Sequence, residues 1–198
     1  MIKVGLTGGI GTGKSTVSNM FRERKIPIVD ADIVAREVLK LYPEILSTIK
    51  GNFGKEFFDS KGDLLRREFG DYIFKNTNKR KEYENIIMPF IKKEIFKRID
   101  FYKNKSEKIC ILDAPTLIEN GVHKYMDFNI LVWADKNTQI DRVKKRDKFN
   151  DEEALNRIKA QMPLEEKKEI VDFVIDNSKD LKNTKAQVNE LIGKLNNI

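Results

Sequence analysis

The chain has 198 residues, 40% of them apolar and 35% charged, with a net charge of +7. These proportions fit one α/β domain with a sizeable core and a heavily charged surface. They exclude a membrane-spanning helix, because no apolar run nears about 20 residues, and the single Cys110 rules out an internal disulfide. No basic stretch followed by a long apolar core opens the chain, so no secretory leader and a reducing, cytoplasmic location are expected.

Residues 2–7, Ile-Lys-Val-Gly-Leu-Thr, predict a buried strand. They lead into Gly8-Gly9-Ile10-Gly11-Thr12-Gly13-Lys14-Ser15, which matches G-x-x-x-x-G-K-[ST] without a gap. The glycines let the backbone curl until successive N–H groups point into one concave nest. The nest opens at a helix N-terminus, where orphan amides and the dipole favour an anion. Lys14 is placed to reach the β- and γ-phosphates, and the Ser15 hydroxyl to ligate Mg²⁺. From Thr16 the pattern continues as a helix with Val17, Met20 and Phe21 on one face. The stretch predicts a nucleoside triphosphate site and leaves the acceptor open.

Residues 26–29 predict a second strand, ending at Asp30-Ala31-Asp32. Strand, loop, helix and strand in so short a span make a βαβ unit, hence a parallel sheet. Residues 33–39 predict a helix. Pro43 opens another, and Gly51, Gly54 and Gly62 read as punctuation of a polar loop. From 64 to 102 the pattern is helical, with Ile87, Ile91, Ile95 and Ile99 among the recurring apolar residues, and Pro89 is expected to kink or interrupt it. Residues 108–113 form the third strand and end in Asp113, a Walker-B-like pattern. Strands at 128–133 and 171–177 follow, with helices at 139–146, 152–161, just after Pro163, and 181–195. The fold class is therefore α/β: a three-layer P-loop fold with a five-stranded parallel sheet. It reads as a single domain over 1–198, with a helical acceptor-binding insertion at about 60–105 and a small helical lid at about 139–162.

Several side chains are candidates for chemistry. Asp30 and Asp32 lie at the end of the second strand, where one carboxylate can orient a substrate hydroxyl and the other can cap the next helix. Asp32 is taken for the chemistry. Asp113 can hold Mg²⁺ through a water, or simply begin a turn with Pro115. Arg142, Lys145 and Arg146 share one helix face, with Arg157 beyond a loop. They can close over a triphosphate, or form a solvated face paired with Asp141 and Asp147. Arg66 and Arg67 can grip an acceptor phosphate. His123 is read as a polar loop residue, and Trp133 and Cys110 as core.

No N-K-x-D guanine motif occurs, and Asp59-Ser60-Lys61-Gly62 fits D-x-x-G without following a strand. A small-molecule kinase is the simplest reading. A nucleoside or nucleotide kinase, and a basic ATP-gated nucleic-acid-binding module, stand as alternatives. The basic residues are scattered and lack interleaved aromatics, so neither nucleic acid nor a membrane is expected as a partner.

The residues from Gly5 through Ser15, followed by Asp30-Ala31-Asp32, closely resemble the dephospho-coenzyme A kinase family. Gly62-Asp63-Leu64-Leu65-Arg66-Arg67 with Ile73-Phe74 is similar to the start of that family's acceptor-binding helices. Asp113-Ala114-Pro115-Thr116-Leu117-Ile118-Glu119 resembles its D-x-P-L-L-x-E segment. Gln139, Arg142, Arg146, Arg157 and Gln161 follow its lid pattern, and the run from Asp172 to Asn177 its last strand and turn. The resemblance covers nearly the whole chain in order. It implies ATP-dependent phosphorylation of the ribose 3′-hydroxyl of dephospho-coenzyme A, giving coenzyme A and ADP, with ATP and Mg²⁺ as cofactors. Asp32, Lys14, Arg142 and Arg146 would be catalytic. Gly11, Thr12, Gly13, Lys14, Ser15 and Thr16 would bind ATP, with Asn177 near the adenine. Thr7, Asp32, Arg66 and Asp113 would bind the acceptor, and Ser15 and Asp113 the metal. The chain departs from the family pattern at Met88, where histidine is usual, at Thr116, where leucine is usual, and at Leu65 before Arg66.

Overall fold

Five short apolar runs pair into one all-parallel sheet. The computed structural model describes residues 1–198, the side chain of Phe74 excepted. The strands are β1 (Ile2–Gly8), β2 (Ile28–Asp30), β3 (Ile109–Asp113), β4 (Phe128–Trp133) and β5 (Phe173–Asp176), in the order β2-β3-β1-β4-β5. The register sets Leu6 opposite Asp113 and Ile130, and Asp30 opposite Asp113. All four strand pairs are parallel. The middle strands are buried on both faces, which is why β3 reads as an unbroken run. On either side of β1 the chain connects in opposite directions, so a crevice opens beyond its C-terminal end.

Two compact units divide the chain: 1–30 with 99–198, and 31–98. The first holds the sheet, with helices α1 (Lys14–Glu23), α6 (Lys136–Asp147), α7 (Asp151–Lys159), α8 (Leu164–Lys168) and α9 (Leu181–Asn196). Alternate strand residues Val4, Leu6, Ile109, Ile111, Ile130, Val132 and Ile175 meet Val17, Met20 and Phe21 of α1 and Val188, Leu191 and Leu195 of α9. Cys110 lies in β3 with 1% exposure, and burial pushes its thiol up to about 12.

The second unit is helical: α2 (Ala31–Leu41), α3 (Glu44–Phe53), α4 (Arg66–Phe74) and most of α5 (Thr77–Asn104). Phe69 stacks edge-on with Phe53, Phe57 and Tyr83. Two expected breaks do not occur here. Gly51 sits inside α3, not in a loop, because Ile45, Ile49 and Phe53 carry the buried stripe past it; Gly54, with φ at 110°, ends the helix. Pro89 does not interrupt α5, which runs 28 residues. Pro89 and Asn85 are both exposed, so the carbonyl that loses its donor faces water, while buried Ile87, Ile91 and Ile95 hold the other face. The Phe74 side chain of the Ile73-Phe74 match lies outside the described residues.

Glu94 is buried in this unit at 5% exposure. It accepts from Arg98 Nε at 2.9 Å and from Tyr42 Oη at 3.1 Å, and Arg98 also reaches Glu37 at 2.5 Å. Burial alone would raise the Glu94 pKa, but the hydrogen bonds from Arg98 and Tyr42 outweigh it and hold the carboxyl below the ordinary 4.5. A folded-state pKa below the unfolded one gives stability that is present above the unfolded pKa and lost as pH falls through the folded one. Glu94→Gln should therefore cost about 1.5–3 kcal/mol at neutral pH. Denaturant unfolding at pH 7 and pH 3 should show wild type losing more stability than the variant. Equal losses would remove Glu94 from the acid response.

Candidate active site

The turn after β1 is built by three glycine positions and pinned from behind. Gly11 and Gly13 take φ of 78° and 80°, which L-residues rarely adopt, and Gly13 caps α1. Thr12 folds back on Gly9: its N–H and its Oγ1 both donate to the Gly9 carbonyl, at 3.2 and 2.9 Å. Gln161 Oε1 accepts from Ile10 N at 2.7 Å. Arg142 Nη1 donates to the carbonyls of Gly11 and Thr12, at 3.3 and 3.4 Å, and its Nη2 to the Asn177 carbonyl at 2.8 Å. Asn177 Nδ2 donates to the Thr12 carbonyl at 2.7 Å, and Thr184 Oγ1 donates to Asn177 Oδ1 at 2.8 Å. The outward-facing groups of the turn are thus taken by protein. Among the described residues no protein group accepts from the amides of Gly11, Gly13, Lys14 or Ser15. That row of orphan donors at the start of α1 is an anion site.

Lys14 pairs closely with Asp113 at the end of the adjacent strand β3, their side chains 17% and 5% exposed. Lysine, at the start of α1, and carboxylate, at the end of β3, therefore stand together at the mouth of the nest. Ser15 is exposed on the first turn of α1, and Thr16 donates to the Gly13 carbonyl at 2.9 Å. Thr7 is fully buried, with its Oγ1 on the Pro115 carbonyl at 2.9 Å. Asp30 ends β2 with Arg22 Nη2 at 3.8 Å, whereas Asp32 is exposed in the first turn of α2. Arg66 is exposed at the start of α4, donates to the Arg36 carbonyl at 3.1 Å, and borders a cavity of about 180 Å³ with Leu39, Lys40, Leu46, Asp63 and Leu64. Arg67 is exposed beside it.

The basic helix face divides. Arg142 turns inward onto the turn after β1. Arg146 is exposed and forks onto Asp147 at 2.9 and 2.7 Å, holding the Asp147 carboxyl below its ordinary range. Lys145 is exposed, and Arg157 lies over the Phe149 ring at 5.7 Å. His123 sits in a short 3-10 turn, Val122–Tyr125. Trp133 is not core: as the last residue of β4 it is half-buried, donates to Glu165 at 3.0 Å, and walls a cleft of about 220 Å³ with Gly9, Gln139, Ile158, Met162 and Leu164. Strand-end residues stand beyond the helices that cover the sheet, which is why its hydrophobicity misleads.

Sequence patterning did not show which residues brace the turn. The pairing of Gln161 with Ile10 and of Asn177 with Thr12 joins positions more than 150 residues apart, and no local signal marks it. The brace makes a substitution test. A Cβ on Gly11 would stand 2.6 Å from the Gln139 carbonyl oxygen, in a backbone conformation that disfavours side chains. The conformation alone costs about 1–2 kcal/mol, so Gly11→Ala should weaken binding of a nucleoside triphosphate about five- to thirtyfold. Gly193, inside α9 with open space around it, should instead gain about 0.5–1 kcal/mol as Gly193→Ala. Calorimetric ATP titration with thermal unfolding of both variants checks this. Unchanged ATP affinity in Gly11→Ala would mean that the turn is not the nucleotide site.

A family model described as dephospho-CoA kinase matches residues 2–183. The chain is 52% identical over 192 residues to the dephospho-CoA kinase of Clostridium perfringens, covering 97% of this chain and 96% of that one. Its structure is similar to a crystal structure from Thermus thermophilus, with a TM-score of 0.81, 27% identity, and coverage of 98% and 97%. The dephospho-CoA kinase of Campylobacter jejuni shares the fold, with a TM-score of 0.76, 23% identity, and coverage of 99% and 98%.

Proposed function

Because the chain belongs to the dephospho-CoA kinase family, we propose how its residues divide the work of that reaction. The protein is a kinase that phosphorylates dephospho-CoA at the expense of ATP, and family membership favours this over the nucleotide-kinase and nucleic-acid readings. The observation that carries the assignment to this site is the braced turn, with its four orphan amides beside the Lys14–Asp113 pair.

In our reading, the ribose 3′-hydroxyl oxygen attacks the γ-phosphorus in line, and the bond to the β-phosphate oxygen breaks, leaving ADP. The amides of Gly11, Gly13, Lys14 and Ser15 hold the donor phosphates, Thr12 and Thr16 shape the turn around them, and the Asn177 turn borders the adenine. Lys14 gives up Asp113 for phosphate oxygens and offsets the charge that develops on them. Asp32 accepts the hydrogen bond of the attacking hydroxyl and takes its proton. Two facts support Asp32 over Asp30: Asp32 is exposed, and Asp30 faces Arg22. Arg142 fixes the turn, and Arg146 exchanges Asp147 for phosphate as the lid, about 139–162, closes. The helices at about 60–105 seat the acceptor, with Arg66 at its phosphates; Thr7 and Asp113 border it from the sheet.

Mg²⁺ fits the donor set. Among the described residues no cluster of three or more metal-binding side chains occurs, and Mg²⁺ commonly needs only one or two protein oxygens beside phosphates and water. The Ser15 hydroxyl and the Asp113 carboxylate would hold it. When bound, it neutralises phosphate charge. Among the described residues no helix is long and apolar enough to cross a membrane.

The test is an acceptor panel read by coupled ADP detection. ADP release should depend on dephospho-CoA, and the product should carry its new phosphate at the 3′ position. Turnover with nucleosides or nucleotides and none with dephospho-CoA would overturn the reading.

A further inference from the structure

Lys167 has no part in the chemistry above, yet it is 1% exposed on a five-residue helix. Its Nζ donates to the Pro115 carbonyl at 3.0 Å and pairs with Glu119 Oε1 at 2.8 Å. Burying an ammonium costs several kcal/mol before pairing, and an apolar side chain of similar length often serves stability as well. Packing alone therefore does not account for a charge here.

Its partners do. The Pro115 carbonyl also accepts from Thr7, the residue before Gly8. Lys167 thus ties α8 to a carbonyl that already grips the end of β1. The same short helix carries Leu164, whose Cδ2 lies 3.1 Å from where a Cβ on Gly9 would stand. Three residues before Leu164 is Gln161, which holds the Ile10 amide. Gly9 and Ile10, the front of the phosphate turn, therefore rest on a segment whose far end is anchored by Lys167.

We infer that Lys167 is a positioning residue for phosphoryl transfer: by tying α8 to Pro115 and Glu119 it holds Gln161 against Ile10 and fixes the front of the phosphate turn. This rests on the reading of that turn as the ATP site. Misplacing a binding turn by about 1 Å can cost about a hundredfold in rate.

The experiment compares Lys167→Met, Lys167→Met with Glu119→Gln, Gln161→Met, and Lys167→Met with Gln161→Met, for kcat, both KM values and thermal unfolding. The Glu119→Gln partner change keeps a carboxylate from being stranded. Expected is a folded Lys167→Met/Glu119→Gln enzyme with kcat down about ten- to a hundredfold and an unchanged KM for dephospho-CoA. The Gln161 and Lys167 effects should also fail to multiply, because one acts through the other. A kcat within about twofold of wild type, or effects that multiply, overturns the inference. A lower Tm with normal kcat also overturns it, since that is all a purely structural lysine would show. If no Lys167 variant folds, Glu119→Gln in wild-type and Gln161→Met backgrounds reads the same linkage: a kcat loss confined to the wild-type background supports it, and no loss overturns it. Failure of the ATP-site reading would show separately, as turnover retained by Lys14→Ala.

Discussion

Lys14→Ala should abolish useful turnover, lowering kcat by at least about 10³-fold. Lys14 is the one lysine of the turn after β1, and Arg142 beside it is taken up by the carbonyls of Gly11, Thr12 and Asn177. On the proposed reading Lys14 is the cation that follows the γ-phosphoryl group as it moves. The structure adds a complication. Lys14 neutralises Asp113, only 5% exposed, so its removal leaves a carboxylate nearly buried and unpaired. Breaking such a pair costs about 3–5 kcal/mol. Stability and activity would then fall together, and the loss of rate could be laid to unfolding. Lys14→Ala with Asp113→Asn separates the two. It should recover thermal stability, because no charge is stranded, and should stay inactive, because it lacks both the ammonium and the Asp113 carboxylate. Asp113→Asn alone shows how much of the loss belongs to the carboxylate. The coupled ADP assay and thermal unfolding, run on all three variants, decide it. Recovery of turnover in the double variant would mean that Lys14 serves only to neutralise Asp113.

Asp32→Asn should lower kcat about 10²–10⁴-fold while ATP affinity stays near wild type. Asparagine keeps the shape and can still accept a hydrogen bond, but it takes no proton at neutral pH. Asp32 is exposed in the first turn of α2, so loss of its favourable interaction with the helix dipole should cost only about 0.3–1 kcal/mol. The prediction is thus a large loss of rate with little loss of stability. Steady-state rates, calorimetric ATP titration and thermal unfolding test it. A near-normal kcat would return Asp32 to a helix-end role.

What the sequence discloses depends on how far apart the interacting residues lie. The turn after β1 is legible because its glycines, Lys14 and Ser15 fall within a few positions of one another and form one local pattern. The middle strands are legible because both their faces are buried; the edge strands β2 and β5 are partly exposed and prove shorter than their apolar runs. The bracing is not legible. Arg142 looks like one of three basic residues on a solvated helix face, yet its partners at Gly11 and Thr12 are about 130 positions away. Lys167 follows Leu-Glu-Glu, and nothing in that context distinguishes it from its exposed neighbour Lys168. Pro89 misleads for a related reason. Its propensity is local, but burial of the opposite face of α5 decides the outcome.

The buried Cys110 has a consequence for an enzyme whose product is itself a thiol. Thiol–disulfide exchange requires a thiolate that can be reached. Cys110 is neither accessible nor ionised near neutrality, with 1% exposure and a pKa of about 12. It is the chain's one cysteine. Coenzyme A and its disulfides therefore find no sulfur on the folded protein with which to form a mixed disulfide, and the enzyme is not trapped covalently by what it makes.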